Sequence, residues 1–463
     1  MSTTTETSIG SIWDSSNLAL TLGSILAVTL GALEGLGVAT IAPVIADDLH
    51  GKDVYGWIFA AFILPQIIGT ILAGREVDRR QPAIVFYSAL AIFGIGCIAA
   101  GSATSIWMLF AGRALQGFGA GGSFATVYAI ISGAYNDRLR PSMLAALSSA
   151  WILPSLIGPV IFGFVADHFS WRYVFWGLVP VILIIGPLTF PAYRKVRLDH
   201  DPTTVVNDRR VTFALVLATG TGLFLAGPDL RPIPLAAVVT VAGLALLIPM
   251  LKNLLPEGTF GAKTMLGAAI ANRALLFGGF GVTETYMVFS LKEFGGVSTS
   301  LAGIVLTVGS LTWTAGSILQ ARWDREVGPE SRPLRVRVGN LTMLAGACSV
   351  FGMVVIFRDI WEIPAAIFWL LTGLGMGLAY TTSTTLAFAH APRGQDGMVS
   401  SSTLLGDLFA SSVGVGVGGV LLALTQSLGW STPASAALSL SLGLTLMLLA
   451  FAASMRMWRM ARA

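Results

Sequence analysis

The sequence predicts an all-α integral membrane protein with fourteen transmembrane helices, in two related six-helix halves separated by two inserted helices. Only 11% of the 463 residues are charged and 54% are hydrophobic, whereas soluble domains carry about 25% charged residues. Apolar stretches of about 20 residues, the length that crosses the ~30 Å hydrocarbon core as a helix, recur along the chain. Similar short motifs occur in its first and last thirds, and internal repeats are common in transporters.

Fourteen apolar stretches are long enough to cross a bilayer. The first six form the first half, the seventh and eighth form the insertion, and the last six form the second half. The seventh and eighth are the shortest, and a re-entrant hairpin is the alternative interpretation for them. The predicted spans are 17–45, 54–74, 83–101, 106–132, 143–166, 171–193, 211–227, 233–251, 267–291, 300–321, 338–357, 361–389, 398–425 and 431–455.

The 28 lysines and arginines are distributed unevenly among the loops. Most of them, with Arg273 near the start of span nine counted among them, fall on the side that holds both termini. Because basic residues mark cytoplasmic loops, this pattern predicts a multi-pass protein of the cell (inner or cytoplasmic) membrane with both termini in the cytoplasm. The predicted segments are a cytoplasmic tail at 1–16, a first half at 17–193, a cytoplasmic loop at 194–210, the inserted helices and their linker at 211–266, a second half at 267–455 and a cytoplasmic tail at 456–463.

Corresponding motifs mark the two halves. Span two ends in GREVDRR at 74–80 and span ten in QARWDR at 320–325, while spans four and twelve share the glycine-rich GFGAG at 117–121 and GLGMG at 373–377. Ion pairs at a membrane edge fix geometry better than they bind ligands. We therefore expect two clusters of charged residues that act as gates. The gating residues would be Gly74, Asp78, Arg79 and Arg80 in the first half, and Asp324 with Arg322 and Arg325 in the second.

Several motifs of the first half occur together in a recognisable order. RxxQGxG occupies 113–119, GPxxFG occupies 158–163 and SWRYVF occupies 170–175. With these motifs the chain resembles the major facilitator superfamily, and within it the 14-helix drug:proton antiporters. The sequence departs from the family pattern in a few places. Gln81 and Pro82 follow the 74–80 motif where the family has a glycine and a basic residue, Phe162 replaces a glycine of the antiport motif, and Glu34 replaces the aspartate of the first-helix motif.

The resemblance implies a major-facilitator-like fold and proton-coupled export, with further gating roles for Gly158 and Pro159. A proton gradient would supply the energy, so no cofactor is expected. The expected partners are a small-molecule substrate and the lipid bilayer, and the chain is expected to be a monomer. The net charge of +4 is spread over short loops, so no nucleic-acid partner is expected.

Four ionisable groups lie within predicted spans, where charge is costly and usually functional. Glu34 lies about 13 Å and Arg113 about 10 Å below the same surface, so they could face one cavity. Asp407 lies about 14 Å from the start of span thirteen, near the midplane. We expect Glu34, Arg113 and Asp407 to couple transport to protons. Glu284, in the outer half of span nine, is assigned to the substrate cavity. The alternative for each acid is a permanently protonated group that bonds a neighbouring helix.

Aromatic residues within the spans are candidates for lining a substrate cavity. The alternative is that they anchor helices at the membrane interface, where tryptophan and tyrosine are enriched. The candidates are Trp57, Trp151, Trp313, Trp369, Tyr286 and Tyr380. The four histidines lack metal-ligand spacing, so no metal site is expected.

These observations predict a secondary transporter that exports drugs or other lipophilic or cationic compounds by alternating access, and no enzymatic activity. No P-loop occurs, which argues against ATP-driven transport by this chain alone. Two alternatives remain open at this point. One is an exporter of an endogenous metabolite, lipid or siderophore on the same scaffold, because a fold does not fix a substrate. The other is a membrane sensor that does not transport.

Overall fold

The computed structural model describes residues 11–15, 17–51, 57–198, 209–227, 233–297 and 299–462, and these contain α-helices and no strands. A polar residue precedes many of the helices, as at Ser105 and Thr264, whose side chains each accept a hydrogen bond from one free backbone N–H of the first turn. The helices are α1 (Leu18–Asp48), α2 (Trp57–Val77), α3 (Pro82–Gly101), α4 (Ile106–Ala134), α5 (Arg140–Ser149), α6 (Ile152–His168), α7 (Arg172–Tyr193), α8 (Arg209–Ala226), α9 (Ile233–Leu254), α10 (Met265–Glu293), α11 (Thr299–Val327), α12 (Arg332–Gly352), α13 (Glu362–Ala389), α14 (Asp396–Ser427) and α15 (Thr432–Met460).

Twelve helices in the described part of the chain are long and apolar enough to cross a membrane. Two of the fourteen predicted spans account for the difference. The predicted span 143–166 is broken at Ala150 and Trp151 into α5 and α6, and each piece alone is short. Helix α8 has 18 residues and begins with two arginines. The predicted loop at 228–232 lies outside the described residues.

The buried apolar residues form separate clusters, and each of the large clusters belongs to one group of successive helices. Helices α1 to α7 contribute two buried clusters, and α10 to α15 contribute a third. Helices α8 and α9 pack on each other and form a fourth, smaller cluster with α2 and α14. The inserted pair therefore lies against one helix from each side of the bundle.

The glycine-rich motifs serve the same purpose in both parts of the bundle. A Cβ atom on Gly117 of α4 would lie 1.9 Å from the carbonyl oxygen of Phe62 in α2. A Cβ atom on Gly377 of α13 would lie 2.0 Å from the carbonyl oxygen of Trp313 in α11. Only glycine allows backbones to approach this closely. The repeated motifs thus produce repeated helix crossings.

One end of the bundle carries the arginine-rich loops, and we call it the basic side. At this end Arg332 of α12 pairs with Asp137 of the α4–α5 loop at 3.0 Å. At the opposite end Asp48 pairs with Arg172 at 2.9 Å. Trp458, near the end of α15, lies 5.2 Å from the guanidinium carbon of Arg337 in α12. The end of the last helix therefore lies on the basic side.

Candidate functional site

A buried ion pair joins α1 to α4. The Nη1 atom of Arg113 donates a hydrogen bond to Oε1 of Glu34, and both residues are at most 2% exposed. Arg113 also donates from Nε to the carbonyl of Ile58 (3.1 Å) and from Nη1 to Oε1 of Gln116 (3.1 Å). The ring of Phe62 lies 4.4 Å from the guanidinium carbon. The structure therefore brings together the two residues whose depths matched in the sequence.

Only one of the two carboxylate oxygens of Glu34 has a hydrogen-bond partner among the described residues. Its Oε2 atom is buried and has no hydrogen-bond partner among the residues that the structure describes. A buried polar atom without a partner is rare and costly, and it usually marks a place where a proton, an ion or a water binds. The carboxylate thus has one oxygen held by Arg113 and one free to accept a proton.

A second buried ion pair lies in the second half, between α10 and α14. Arg273 donates from Nη2 to Oδ2 of Asp407 (2.7 Å) and from Nε to the same carboxylate (3.1 Å). Its Nη1 donates to Thr384 (2.9 Å), and Nη2 also donates to the hydroxyl of Tyr380 (2.6 Å), which itself donates to Asp407 (2.8 Å). Tyr128 of α4 lies 5.1 Å from the guanidinium carbon. A ring of the first half therefore contacts the charge centre of the second.

Arg273 corrects the sequence interpretation, which counted it among the loop residues. It lies eight residues into α10, about 12 Å along the helix axis, and is completely buried. The signal was present, because Arg273 falls six positions inside the predicted span 267–291. An arginine in an apolar span usually faces the bundle interior and pairs with another ionisable group or with backbone carbonyls. Asp407, for which the sequence indicated no partner on a neighbouring helix, is the anion that pairs with Arg273.

The predicted aromatic residues separate into two groups. Trp313, Trp369 and Tyr380 cluster with Phe277 and Phe280 of α10, with ring centroids 4.5 to 6.3 Å apart. Trp369 is completely buried, and the indole nitrogens of both tryptophans have no hydrogen-bond partner among the described residues. These rings form one continuous aromatic wall in the second half.

The other predicted aromatic residues lie apart from this wall. Trp57 and Trp151 belong to the first half and are 40% and 45% exposed. Tyr286 donates its hydroxyl to the carbonyl of Val415 (2.7 Å), which ties α10 to α14. Two cavities of about 400 and 470 Å³ are lined by other residues. A substrate cavity lined by all six aromatic residues therefore stays a prediction.

Glu284 lies on the same face of α10 as the aromatic wall. It follows Phe280 by four residues and Phe277 by seven, so the three side chains line one helix face. It is partly exposed and has no hydrogen-bond or ion-pair partner within the described ranges. Next to π faces, such a carboxylate can bind a cation from an organic ligand.

Asp78, which the sequence predicts as a gating residue, contacts the second half through backbone groups. Its Oδ1 accepts from the N–H of Gly397 (2.7 Å) and its Oδ2 from that of Met398 (2.9 Å), at the N-terminus of α14. The partial positive charge of a helix N-terminus favours an anion there. Burial nevertheless raises the pKa of Asp78 to about 7, with Asp396 adding to the rise. A Cβ atom on Gly397 would lie 2.0 Å from the carbonyl oxygen of Gly74, so both glycines are needed at this crossing.

The expected partners of the charged motifs are partly wrong. Arg80 pairs with Glu76 at 2.8 Å, while Asp78 contacts α14. A short turn at Pro329–Ser331 brings the beginning of α12 next to the end of α11. Asp324 therefore pairs with arginines of α12 and not with its sequence neighbours Arg322 and Arg325 as expected. These arginines are Arg332, whose Nε lies 2.9 Å from Oδ1 of Asp324, and Arg335.

Contacts across the two halves gather at the basic side. Arg332 links Asp324 to Asp137 of the first half, and Arg325 donates to the hydroxyl of Ser142 in α5 (3.4 Å). Ser400 of α14 donates to the carbonyl of Ala125 in α4 (2.6 Å). With the Asp78 contact, these bonds hold the basic side closed.

The α1–α6 crossing involves the glycine of the predicted antiport motif only loosely. A Cβ atom on Gly158 would lie 3.8 Å from Phe162 and 3.9 Å from Leu33, which is ordinary contact. The tight contact is formed by Phe162, whose ring lies 2.3 Å from the Cβ position of Gly37. The side chain of Pro159 lies outside the described residues. Phe162 therefore occupies the space that the usual glycine of this motif would leave.

Comparisons with known proteins identify related sequences and folds. A family model described as Major Facilitator Superfamily matches residues 20–415. The chain is 26% identical to "Multidrug transporter protein MdtP" of Bacillus subtilis (strain 168), over 83% of this chain and 71% of that protein. It is 23% identical to "Multidrug efflux pump SdrM" of Staphylococcus aureus (strain N315), over 87% of this chain and 89% of that protein.

Solved structures share the fold at low sequence identity. The human organic anion transporter MFSD10 (TETRAN) superimposes with a TM-score of 0.70 at 14% identity, covering 94% of this chain and 99% of that chain. The proton:xylose symporter XylE superimposes with a TM-score of 0.63 at 15% identity, covering 93% of this chain and 94% of that chain.

Replacing one partner of the Arg273–Asp407 pair should destabilise the protein more than replacing both partners. Asp407→Leu alone leaves a buried, unpaired cation and should lower the free energy of unfolding by about 3–5 kcal/mol. The double variant Arg273→Met with Asp407→Leu should lose less than either single variant. A double-mutant cycle by thermal or denaturant unfolding in detergent measures this coupling. The exposed Asp48–Arg172 pair is the control, with an expected coupling below about 1 kcal/mol. Additive losses at the buried pair would contradict the interpretation.

The contact between Asp78 and α14 should strengthen in acid. Its raised pKa of about 7 means that this closed arrangement binds a proton more tightly than one in which Asp78 is hydrated. The stabilisation is complete below the ordinary aspartate pKa and is lost as pH rises through 7. Asp78 would be about 90% protonated at pH 6 and about 10% at pH 8.

Spin labels on Gln81→Cys and Arg393→Cys, in a Cys348→Ser background, report this contact as a distance distribution. We expect a larger short-distance population at pH 6 than at pH 8, and a short distance at both pH values in Asp78→Asn. Glu76→Gln, which removes a neighbouring carboxylate, is the control and should keep the pH dependence. An unaltered pH dependence in Asp78→Asn would assign the effect to another group.

Proposed function

The chain belongs to the Major Facilitator Superfamily, and from this premise we propose that it is a proton-coupled secondary transporter that exports lipophilic or cationic compounds by alternating access. Membership makes it a multi-pass membrane transporter of small molecules and not an enzyme. The observation that carries the proposal is Glu34, a buried carboxylate with one oxygen on Arg113 and one oxygen unpartnered. Such a group is suited to exchange a proton with water when its side of the bundle opens.

The proposed organisation keeps fourteen spans and two halves, at 17–193 and 267–455, with the insertion at 211–266. In this organisation, α5 and α6 together form one interrupted transmembrane span, and α8 and α9 each form a further span. An even number of spans places both termini on one side. Residue Trp13 lines the same basic-side cavity as Arg138 and Arg325, and the arginine-rich loops favour the cytoplasm for that side.

Proton coupling is assigned to Glu34, Arg113 and Asp407. Protonation of Glu34 at Oε2 would remove the anion that Arg113 pairs with, leaving that guanidinium to Ile58, Gln116 and the ring of Phe62. Loss of a charged partner in a buried site is worth several kcal/mol. One protonation event could therefore shift the balance between two helix arrangements. One pH unit supplies about 1.4 kcal/mol per proton, and 100 mV supplies about 2.3 kcal/mol per charge.

Export is favoured over import by the names of the relatives. Two relatives are named as a multidrug transporter and a multidrug efflux pump. The structure is closed at the basic side by Asp78, Arg332, Arg325 and Ser400. On the proposed orientation this is the outward-facing half of the cycle. Substrate would be released and a proton taken up in this arrangement.

The substrate site is assigned to the aromatic wall of the second half together with Glu284. Asp407 is neutralised by Arg273, so it is less available to a cationic substrate than Glu284 is. Glu284 has no such cation. A positively charged amine could lie between Glu284 and the rings of Phe277 and Phe280, where cation–π attraction adds to the charge pair.

Glu34→Gln should abolish proton-driven transport while the protein stays folded. The amide keeps the shape and can accept from Arg113, but it cannot exchange a proton. Uptake of a fluorescent cationic dye into inside-out proteoliposomes, with and without a pH gradient, measures the coupling. Glu293→Gln, an exposed acid at the end of α10, is the matched control. Gradient-dependent uptake by Glu34→Gln at the wild-type rate would refute the role of Glu34.

The Glu284→Gln substitution should weaken the binding of cationic substrates more than the binding of neutral ones. A cationic ligand that loses the charged partner of its hydrogen bond should lose ~1–3 kcal/mol of binding free energy. A neutral ligand makes no such charged bond, and glutamine offers it a contact of similar shape. Binding of a monovalent cationic dye and of an uncharged lipophilic dye to the purified variant gives the two values. Equal losses would mean that Glu284 supports helix packing and does not read substrate charge.

A further inference from the structure

An apolar groove of about 470 Å³ runs along the outside of the bundle between α10, α14 and α15. Small side chains make it deep, among them Ala274, Gly406, Ala410 and Ala452. Leu449, on its rim, is 51% exposed, so the groove opens toward the surroundings of the bundle. The loop 259–262 and the end of α9 close it at the basic side.

The length of the groove matches one leaflet of a bilayer. Along α14 it extends from Gly406 to Val417, about 17 Å. Along α15 it extends from Leu442 to Arg456, about 21 Å. Half of the hydrocarbon core is about 15 Å thick. A single acyl chain that descends from the basic-side surface would therefore occupy it from end to end.

A cationic group marks the end of the groove at the basic side. Arg456 donates from Nη1 to the carbonyl of Gly261 in the closing loop, which holds its guanidinium at the groove's mouth. Within the described residues no carboxylate forms an ion pair with it. Lys263 of the same loop is exposed, as is Glu257, the loop's one acid.

The neighbouring helix turn places Arg456 at headgroup depth. Trp458 lies two residues further along α15, and its ring is 3.8 Å from the guanidinium carbon of Arg462. Tryptophan flanked by arginines is typical of the membrane–water interface. The groove thus begins among headgroups and continues into hydrocarbon.

We propose that this groove binds an anionic phospholipid from the leaflet on the basic side, with one acyl chain between α10, α14 and α15 and its phosphate at Arg456. A zwitterionic headgroup would bring an ammonium group toward Arg456 and Lys263, whereas an anionic headgroup such as that of phosphatidylglycerol brings none. Basic residues near the surface attract anionic lipids. Because Gly406 lines the groove and its neighbour Asp407 pairs with Arg273, the bound lipid would contact the helix that carries the second ion pair.

Native mass spectrometry of the full chain, released from detergent with phosphatidylglycerol or phosphatidylcholine, tests the proposal. The wild type should retain phosphatidylglycerol preferentially, with one molecule bound more tightly than the rest. The Arg456→Gln substitution should weaken the binding of that one phosphatidylglycerol molecule about fivefold to tenfold. Arg459→Gln removes the same charge from the same helix outside the groove and should leave it unchanged.

A second pair of variants tests the acyl-chain part of the site. Ala452→Phe places a ring in the open groove and should displace the tightly bound lipid. Ala345→Phe, the same substitution at an exposed position of α12 away from the groove, should retain it. Equal retention of both lipids by the wild type, equal effects of the two arginine variants, or lipid retention by Ala452→Phe would overturn the proposal. Retention of an added lipophilic dye in place of phosphatidylglycerol would assign the groove to substrate and overturn it as well.

Discussion

The structure depends on the cost of placing a guanidinium inside a membrane-spanning bundle. Arg113 and Arg273 are both buried, and each is tolerable only because a carboxylate and several neutral acceptors surround it. Meeting that demand brings helices together. Arg113 contacts α1 and α2 from α4, and Arg273 contacts α13 and α14 from α10. Each half is thus organised around one cation, and the partners of that cation decide which helices are neighbours.

The two charge centres differ in how completely they are satisfied. Asp407 receives bonds from Arg273 and Tyr380, whereas Glu34 has an oxygen without a partner. The centre in the second half is therefore the more rigid, and the one in the first half is better suited to a change of protonation. Tyr128 connects them, because it belongs to α4, the helix of Arg113, and lies over Arg273. A movement of α4 would therefore change the contacts of both buried ion pairs.

Composition and repeated motifs were enough to predict a helical membrane protein and the proximity of Glu34 and Arg113, because helical rise converts sequence position into depth. Partners brought by tertiary packing were beyond the sequence. Nothing near Asp78 in the chain indicates Gly397, and the turn that brings Arg332 to Asp324 depends on how α12 folds back. The burial of Arg273 could have been predicted, since an arginine inside an apolar span already calls for polar partners within the bundle. The fourteen predicted spans exceed the twelve long apolar helices of the described residues because one helix breaks at Trp151 and because α8 begins with arginines.

The position of Asp78 gives the proposed antiport cycle a means of limiting itself. A proton-driven exporter delivers protons to the compartment on the basic side as it works. Its gate rests on a carboxyl group whose pKa of about 7 lies close to the pH of a neutral cytoplasm. As that compartment acidifies, the closed gate becomes more stable and fewer molecules reopen to load substrate. Exporter activity would then decline as its own proton influx accumulates, in the manner of product inhibition, and recover when the cell restores its internal pH.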